Sequence, residues 1–336
     1  MTDPQKSRRT SFAPVTAALA TGLVALGALA PAGTAAEAPA KPSPQFRAGA
    51  CAQDITPDWF PIVVNGGFRP RYAKEALDPL HARCLVLDDG AGQVAIVVVD
   101  SCVLDRPVMD RAKELAQKLT GIPTGRMFIS ATHTHSAPAV VGALGTDPDE
   151  RYRKWLPGKI AEGVQRAQKN LAPAQFGWAV GSLPEWAHSR RWIARPDKIK
   201  KDPFGEPTTR ATMHPGFRNP DWEEPSGPMN PDVSVLAVRR KDGTPIAVLG
   251  RFSIHYVGSG ALSADYFGIF ARRIGELLEV KQTDPPFVGI LANGVSGDAY
   301  IRDYTRQKGR KFDKDSMAEL VAREALKAYK TIEWQD

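Results

Sequence analysis

The chain has 336 residues, 43% of them apolar, and carries 44 Lys and Arg against 37 Asp and Glu for a formal charge of +7. That much apolar material builds a core and excludes a disordered chain. The mild basic excess, spread along the sequence, argues against a nucleic-acid surface, and 3 cysteines are too few for a disulfide scaffold.

The N-terminus reads as a leader. Lys6, Arg8 and Arg9 form a basic head, residues 15–32 are small and apolar, and Thr34-Ala35-Ala36 supplies small residues for cleavage. The pattern predicts a signal peptide over 1–36 and export to a periplasmic or extracellular compartment. Pro31 interrupts the run and large apolar residues are few, which disfavours a retained membrane span. Loss of the leader lowers the charge to about +5. A Pro/Ala linker over 37–46 follows, and the remaining length suits one large domain or two small ones. One pair among Cys51, Cys84 and Cys102 could bridge in an oxidising compartment, leaving an odd thiol; Cys102 follows an apolar strand and is expected to be buried.

The elements alternate as in an α/β domain: a mixed sheet with helices packed on it. Residues 94–99 form a continuous Val/Ile run, as in a strand buried on both faces. Residues 106–119 repeat apolar positions on one helical side. A strand over 127–131 and a helix over 151–170 follow, with Pro157-Gly158 as the weak point of the helix. Residues 182–232 are rich in Pro, Trp, Arg and Asp and lack periodicity; Trp186, Trp192 and Trp222 favour an ordered functional loop. Strands over 233–239 and 246–254 flank the hairpin signal Lys241-Asp242-Gly243. A helix over 267–280, a buried strand over 287–291 and a helix over 316–329 complete the chain. No internal repeat is visible.

The ends of these strands collect the polar residues. Asp100 follows the first, Thr132-His133-Thr134-His135-Ser136 the second, His255 the strand over 246–254, and Asn293-Gly294-Val295-Ser296-Gly297-Asp298 the last. Residues i and i+2 of an extended backbone point to one side, so His133 and His135 can converge. Imidazole is the commonest metal ligand and a proton carrier near neutral pH. In open α/β sheets, sites form outside the carboxyl ends of strands. Each residue alone has a plainer reading: solvated histidines at a strand end, a satisfied core histidine at His255, or aspartates capping the next turn.

Taken together, the motifs resemble the N-terminal domain of the neutral/alkaline, non-lysosomal ceramidase family over roughly residues 47–330. The matching pieces are Ala52-Gln53-Asp54-Ile55-Thr56-Pro57, Leu80-His81-Ala82-Arg83, Thr132-His133-Thr134-His135-Ser136 and Ser189-Arg190-Arg191-Trp192, the last with Ser where the family has Asn. They continue with Phe252-Ser253-Ile254-His255-Tyr256, Ser263-Ala264-Asp265-Tyr266-Phe267-Gly268 and Asn293-Gly294-Val295-Ser296-Gly297-Asp298. The resemblance implies a zinc amidohydrolase acting on the N-acyl bond of ceramide. It implies zinc ligands at His133 and His255, His135 and Arg190 in the substrate cleft, and Ser263 beside it as a substrate-contacting or supporting group rather than a nucleophile. A ceramide-like lipid is the implied partner, and peripheral contact with a membrane surface is left open.

The resemblance also implies two further ligands, a Glu in a Pro-Gly-Glu-type segment and a Tyr, and a C-terminal sandwich domain, all beyond the matching part. The expectation is therefore a catalytic domain lacking its C-terminal part, a divergent member with a third ligand among Asp100, Asp265 and Asp298, or a relative without catalysis. The rival functions are a zinc hydrolase of another N-acyl or ester substrate and an inactive extracellular lipid- or glycan-binding protein.

Overall fold

The computed structural model describes residues 45–336 except residue 144. The expected signal peptide, and all but the last residues of the linker, lie outside the described residues. Eight strands form the main sheet: β1 (Arg47–Asp54), β2 (His81–Asp88), β3 (Gln93–Val99), β4 (Met127–Ala131), β5 (Ala172–Ser182), β6 (Asp232–Arg240), β7 (Pro245–Phe252) and β8 (Val288–Asn293). Four helices accompany them: α1 (Arg106–Thr120), α2 (Glu150–Lys169), α3 (Asp265–Leu277) and α4 (Lys314–Tyr329). The strand order is β8-β7-β6-β5-β1-β2-β3-β4. Only β3/β4 and β7/β8 are parallel, each pair joined by a crossover helix.

The element order repeats. β1-β2-β3-α1-β4-α2 is followed by β5-β6-β7-α3-β8-α4, and both halves have two antiparallel pairings and then a parallel one. This corrects the sequence reading, in which no repeat is visible. The two halves meet at an antiparallel contact of β1 with β5.

Alternation along the strands explains the layering. In β2, Ala82, Cys84 and Val86 pack with Ala112, Ala116, Ile160 and Val164 of α1 and α2. In β6 and β7, Val235 and Val248 pack with Phe267, Phe270, Val321 and Ala325 of α3 and α4. The intervening residues form a third cluster: Ala48, Ala50, Leu85 and Val98 with Val238, Ile246, Ala247, Val288 and Ile290. These come from strands far apart in the sheet order, so the sheet folds face to face and helices cover both outer faces. Strands buried on both sides need continuous apolar runs, as seen in β3.

Local chemistry fixes the ends. Asp105 accepts from the Val108 amide at the start of α1, and Gly121 closes that helix at φ 75°. Asp313 and Ser316 form a reciprocal cap on α4. α2 runs through Pro157, because buried Leu156, Ile160, Ala161 and Val164 outweigh one lost backbone bond. The segment over 182–232 is ordered by a small three-stranded sheet of Arg191–Ala194, Ala211–Met213 and Trp222–Pro225. A two-stranded pairing of His188–Ser189 with Ala299–Tyr300 ties it to the chain after β8. All three cysteines are free thiols, with Cys51 opposite Cys84 across β1/β2 and Cys102 buried.

Gly289 of β8 lies against the Ala271 backbone of α3, where an added Cβ has no room. Gly289→Ala should push α3 from the sheet and cost about 1–3 kcal/mol. Urea denaturation should show a lower midpoint at unchanged slope.

Candidate metal centre

β4 ends in a sharp turn. The Thr132 amide donates to Val99 O (2.9 Å) and the His133 amide to Ser101 O (2.9 Å). His133 itself takes φ 69°, an unusual value outside glycine. The turn aims His133 and His135 into one space, and His255, just past β7, enters it from the second half. Ring centroids are 4.6 Å apart for His133/His135, 4.8 Å for His133/His255 and 5.3 Å for His135/His255.

Carbonyl partners set the tautomers. His133 Nδ1 lies 2.7 Å from Cys102 O, and His255 Nδ1 lies 2.9 Å from Ser296 O. A carbonyl only accepts, so each Nδ1 carries a proton, which in the neutral ring leaves the lone pair on Nε2. His135 Nε2 lies 3.1 Å from His133 Nε2. A proton on His135 Nε2 would complete that pair, while its Nδ1 is buried beside Gly66 without a partner of good geometry. Burial, followed by the neighbouring His133 and His255, pushes His135 down to about 3. Burial, with Arg190 and His133 adding to it, lowers His255 to about 4. Both rings are therefore neutral near pH 7, as metal ligation requires.

The cluster is held by its surroundings. The His135 ring stacks on Tyr256 at 3.6 Å and 14°. Arg71 donates to His135 O (2.6 Å) and to Ser259 O (3.2 Å) and Gly260 O (3.1 Å), tying the two loops together. Gly66, at φ 103°, presses its Cα against the His135 ring, and a Cβ there would overlap it. Arg190 donates to Gly297 O (2.7 Å) and stands 3.4 Å from His255 Nε2.

Four sequence-selected residues, His133, His135, His255 and Arg190, thus meet. Ser263 does not join them. It is fully buried, donates to Asp78 (2.6 Å), and its backbone bonds Ser136 O (2.8 Å) and the Thr134 hydroxyl (2.9 Å). Asp100 is buried against Arg83 (2.6 Å) and the His81 amide (2.8 Å). Asp265 accepts from the Val257, Gly258 and Tyr266 amides. Asp100 Oδ1 is buried without a partner, and neither carboxylate joins a group of metal-donor atoms among the described residues. Asp298 makes no side-chain hydrogen bond among the described residues; its carbonyl accepts from the Arg190 amide (2.8 Å).

Cys102, His133 and His135 also have donor atoms mutually within 4.8 Å. The Cys102 thiol, however, faces His133 Nδ1 at 3.9 Å, the nitrogen already committed to the Cys102 carbonyl, and burial pushes that thiol up to about 12. The two unprotonated Nε2 atoms of His133 and His255 are the better pair for a divalent cation. Sequence reading missed Arg71, Gly66 and Tyr256; only the Asn65-Gly66-Gly67 turn and the Tyr adjoining His255 offer a local signal.

Gly66→Ala should displace the His135 ring and, through the positive φ alone, cost about 1–3 kcal/mol of stability. Thermal denaturation and the His135 ring resonances check it. The low folded-state values also set a pH dependence for the metal-free protein. Between about 3 and 6.5 for His135, and about 4 and 6.5 for His255, each ring binds a proton in the unfolded chain but not in the folded one. Their contribution is therefore present above pH 6.5 and is lost as pH falls through those windows, which denaturation at stepped pH measures.

No family model and no curated protein matches the sequence. Solved structures do. One is described as neutral ceramidase from Pseudomonas aeruginosa, with TM-score 0.62 and 17% identity, covering 85% of this chain and 45% of that one. Another, a ceramidase complexed with C2, gives TM-score 0.64 and 18% identity over 85% of this chain and 44% of that one. The chain spans less than half the length of these structures. Its described residues have the fold of the matching portion of these ceramidases.

Proposed function

We propose that this chain is an exported zinc-dependent hydrolase of the neutral ceramidase kind, cleaving the N-acyl amide bond of ceramide or a related N-acyl lipid. One observation carries the reading: His133 and His255, from opposite halves of the fold, turn unprotonated Nε2 atoms into one space beside His135.

In this reading His133 and His255 hold the zinc. Zinc, when bound, lowers the pKa of water and polarises an amide carbonyl. His135 carries its proton on Nε2, where it donates to the developing oxyanion or hands a proton to the leaving amine. Arg190, anchored on Gly297 O, has guanidinium donors for a substrate oxygen. Ser263 supports rather than reacts, because its hydroxyl is committed to Asp78 while its backbone holds the loop that carries His135. Catalytic zinc normally takes three protein ligands. Asp298, whose side chain makes no hydrogen bond among the described residues and whose carbonyl holds the Arg190 amide, is the local candidate for the third.

The presence of only two well-oriented imidazole ligands favours, as the second reading, a relative that binds an N-acyl lipid without cleaving it. Metal content and turnover of a fluorescent N-acyl sphingosine separate the two, and a panel of other N-acyl and ester substrates tests the choice of bond.

Removal of a ligand and removal of the acid should differ. His133→Ala and His255→Ala should lose both metal and turnover. His135→Ala should keep most of its metal and lose turnover by about 10²–10⁴-fold. Elemental analysis of the purified variants beside their rates checks this; equal loss of metal in all three would show the roles wrongly divided.

A further inference from the structure

The tryptophan-rich segment over 182–232 does more than frame the histidines. With the loop after Ala299–Tyr300 it lines a half-open hollow of about 280 Å³, with buried Trp222 and Tyr304, half-buried Trp192, and exposed Arg218, Glu223 and Thr305 in its walls. That volume is just below the usual range for drug-sized ligands, so it suits a single small ring.

A short chain of contacts joins the cavity to the metal centre. Tyr304 Oη lies 2.5 Å from His214 Nδ1. The His214 amide donates to Arg190 O (2.7 Å), and the Arg190 guanidinium stands 3.4 Å from His255 Nε2. The Arg218 amide holds Tyr304 O (2.9 Å). His214 and Arg218 both sit at positive φ, 56° and 49°. Non-glycine residues keep such strain only where surrounding contacts over-determine it, commonly at ligand clamps.

The lining selects a chemistry. The exposed Glu223 and Arg218 side chains make no hydrogen bond among the described residues, so a carboxylate and a guanidinium at the rim are both available to a ligand. Glu223 opposes a phosphate or sulfate, and the charged pair opposes an acyl chain. A quaternary ammonium needs several open aromatic faces, but Trp222 is 8% exposed and already carries the Lys200 ammonium 5.5 Å from its ring. A neutral ring with an apolar C–H face for half-buried Trp192 and hydroxyls for Glu223, Arg218 and Thr305 meets these constraints.

We infer that this hollow is a head-group subsite for a sugar ring, so that the preferred N-acyl lipid carries a glycosyl head. The inference rests on the N-acyl hydrolase reading for the reaction but not for the binding. The test therefore has two arms on the full chain. In the first, tryptophan emission is titrated with methyl β-glucoside, methyl β-galactoside and phosphocholine. A saturable response to a glycoside, lost in Glu223→Ala, is expected. No response, an unchanged response in Glu223→Ala, or a response to phosphocholine alone would overturn the subsite. In the second arm, kcat/KM for glucosylceramide is compared with that for ceramide. The ratio should favour the glycosylated lipid and fall about tenfold or more in Glu223→Ala, the scale of one hydrogen bond to a charged group. Equal use of both lipids by the parent protein would also overturn it. Glycoside binding without cleavage of either lipid would keep the subsite and reject the hydrolase reading instead.

Discussion

The dry apolar layer between the two halves of the sheet is the contact on which the site depends. β3 and β4 lie at one end of the strand order and β7 and β8 near the other. A flat sheet of this order would hold His133 and His255 many strand spacings apart, at about 4.8 Å each. Packing Leu85 and Val98 against Val238, Ala247, Val288 and Ile290 folds the sheet and brings both strand ends to one edge. Small residues in this layer, such as Ala48, Ala50, Ala174 and Ala247, let the two halves approach closely. The hydrophobic term thus does the long-range work, and short polar contacts do the final aiming.

The aiming follows one rule used twice. His133 follows β4 and is oriented by Cys102 O, just beyond its parallel partner β3. His255 follows β7 and is oriented by Ser296 O, just beyond its parallel partner β8. Parallel pairing puts two carboxyl ends at the same edge, so each ligand finds an anchoring carbonyl on the adjacent strand's loop. The carbonyl fixes both ring direction and tautomer, the usual task of groups behind a metal ligand.

Much of this is visible in the residues alone. The strand over 127–131 and the helix over 106–119 agree with the structure to within a residue, because their periodicities are unambiguous. β5 is not visible: Pro173, Gly177 and Gly181 weaken its strand signal, while in the fold Gly177 and Gly181 are where the last helix and the chain beyond it pack closest. The repeat is hidden for a different reason. It constrains only which positions are apolar, and many residues satisfy that, so the halves retain topology without shared residues. His133, His135, His255 and Arg190 are legible because they cluster at strand ends. Arg71 is not, since its role comes from reaching three carbonyls on two distant loops.

The carboxylates near the site show what the sequence pattern could not distinguish. Asp100 and Asp265 look like ligands because they sit at the right ends of the right elements, yet both serve the frame. Asp100 is fully buried with Arg83, and burial raises its pKa even against that guanidinium. Breaking such a pair leaves an uncompensated buried charge, a cost of about 3–5 kcal/mol. Asp265, at φ 58°, gathers three backbone amides and so fixes the loop between His255 and Ser259. With these carboxylates committed to Arg83 and to backbone amides, the space between the strand ends is left to the three imidazoles and Arg190. A cation entering it would meet imidazole nitrogens rather than an existing ion pair, and would displace only the His135–His133 contact and the Arg190 approach to His255.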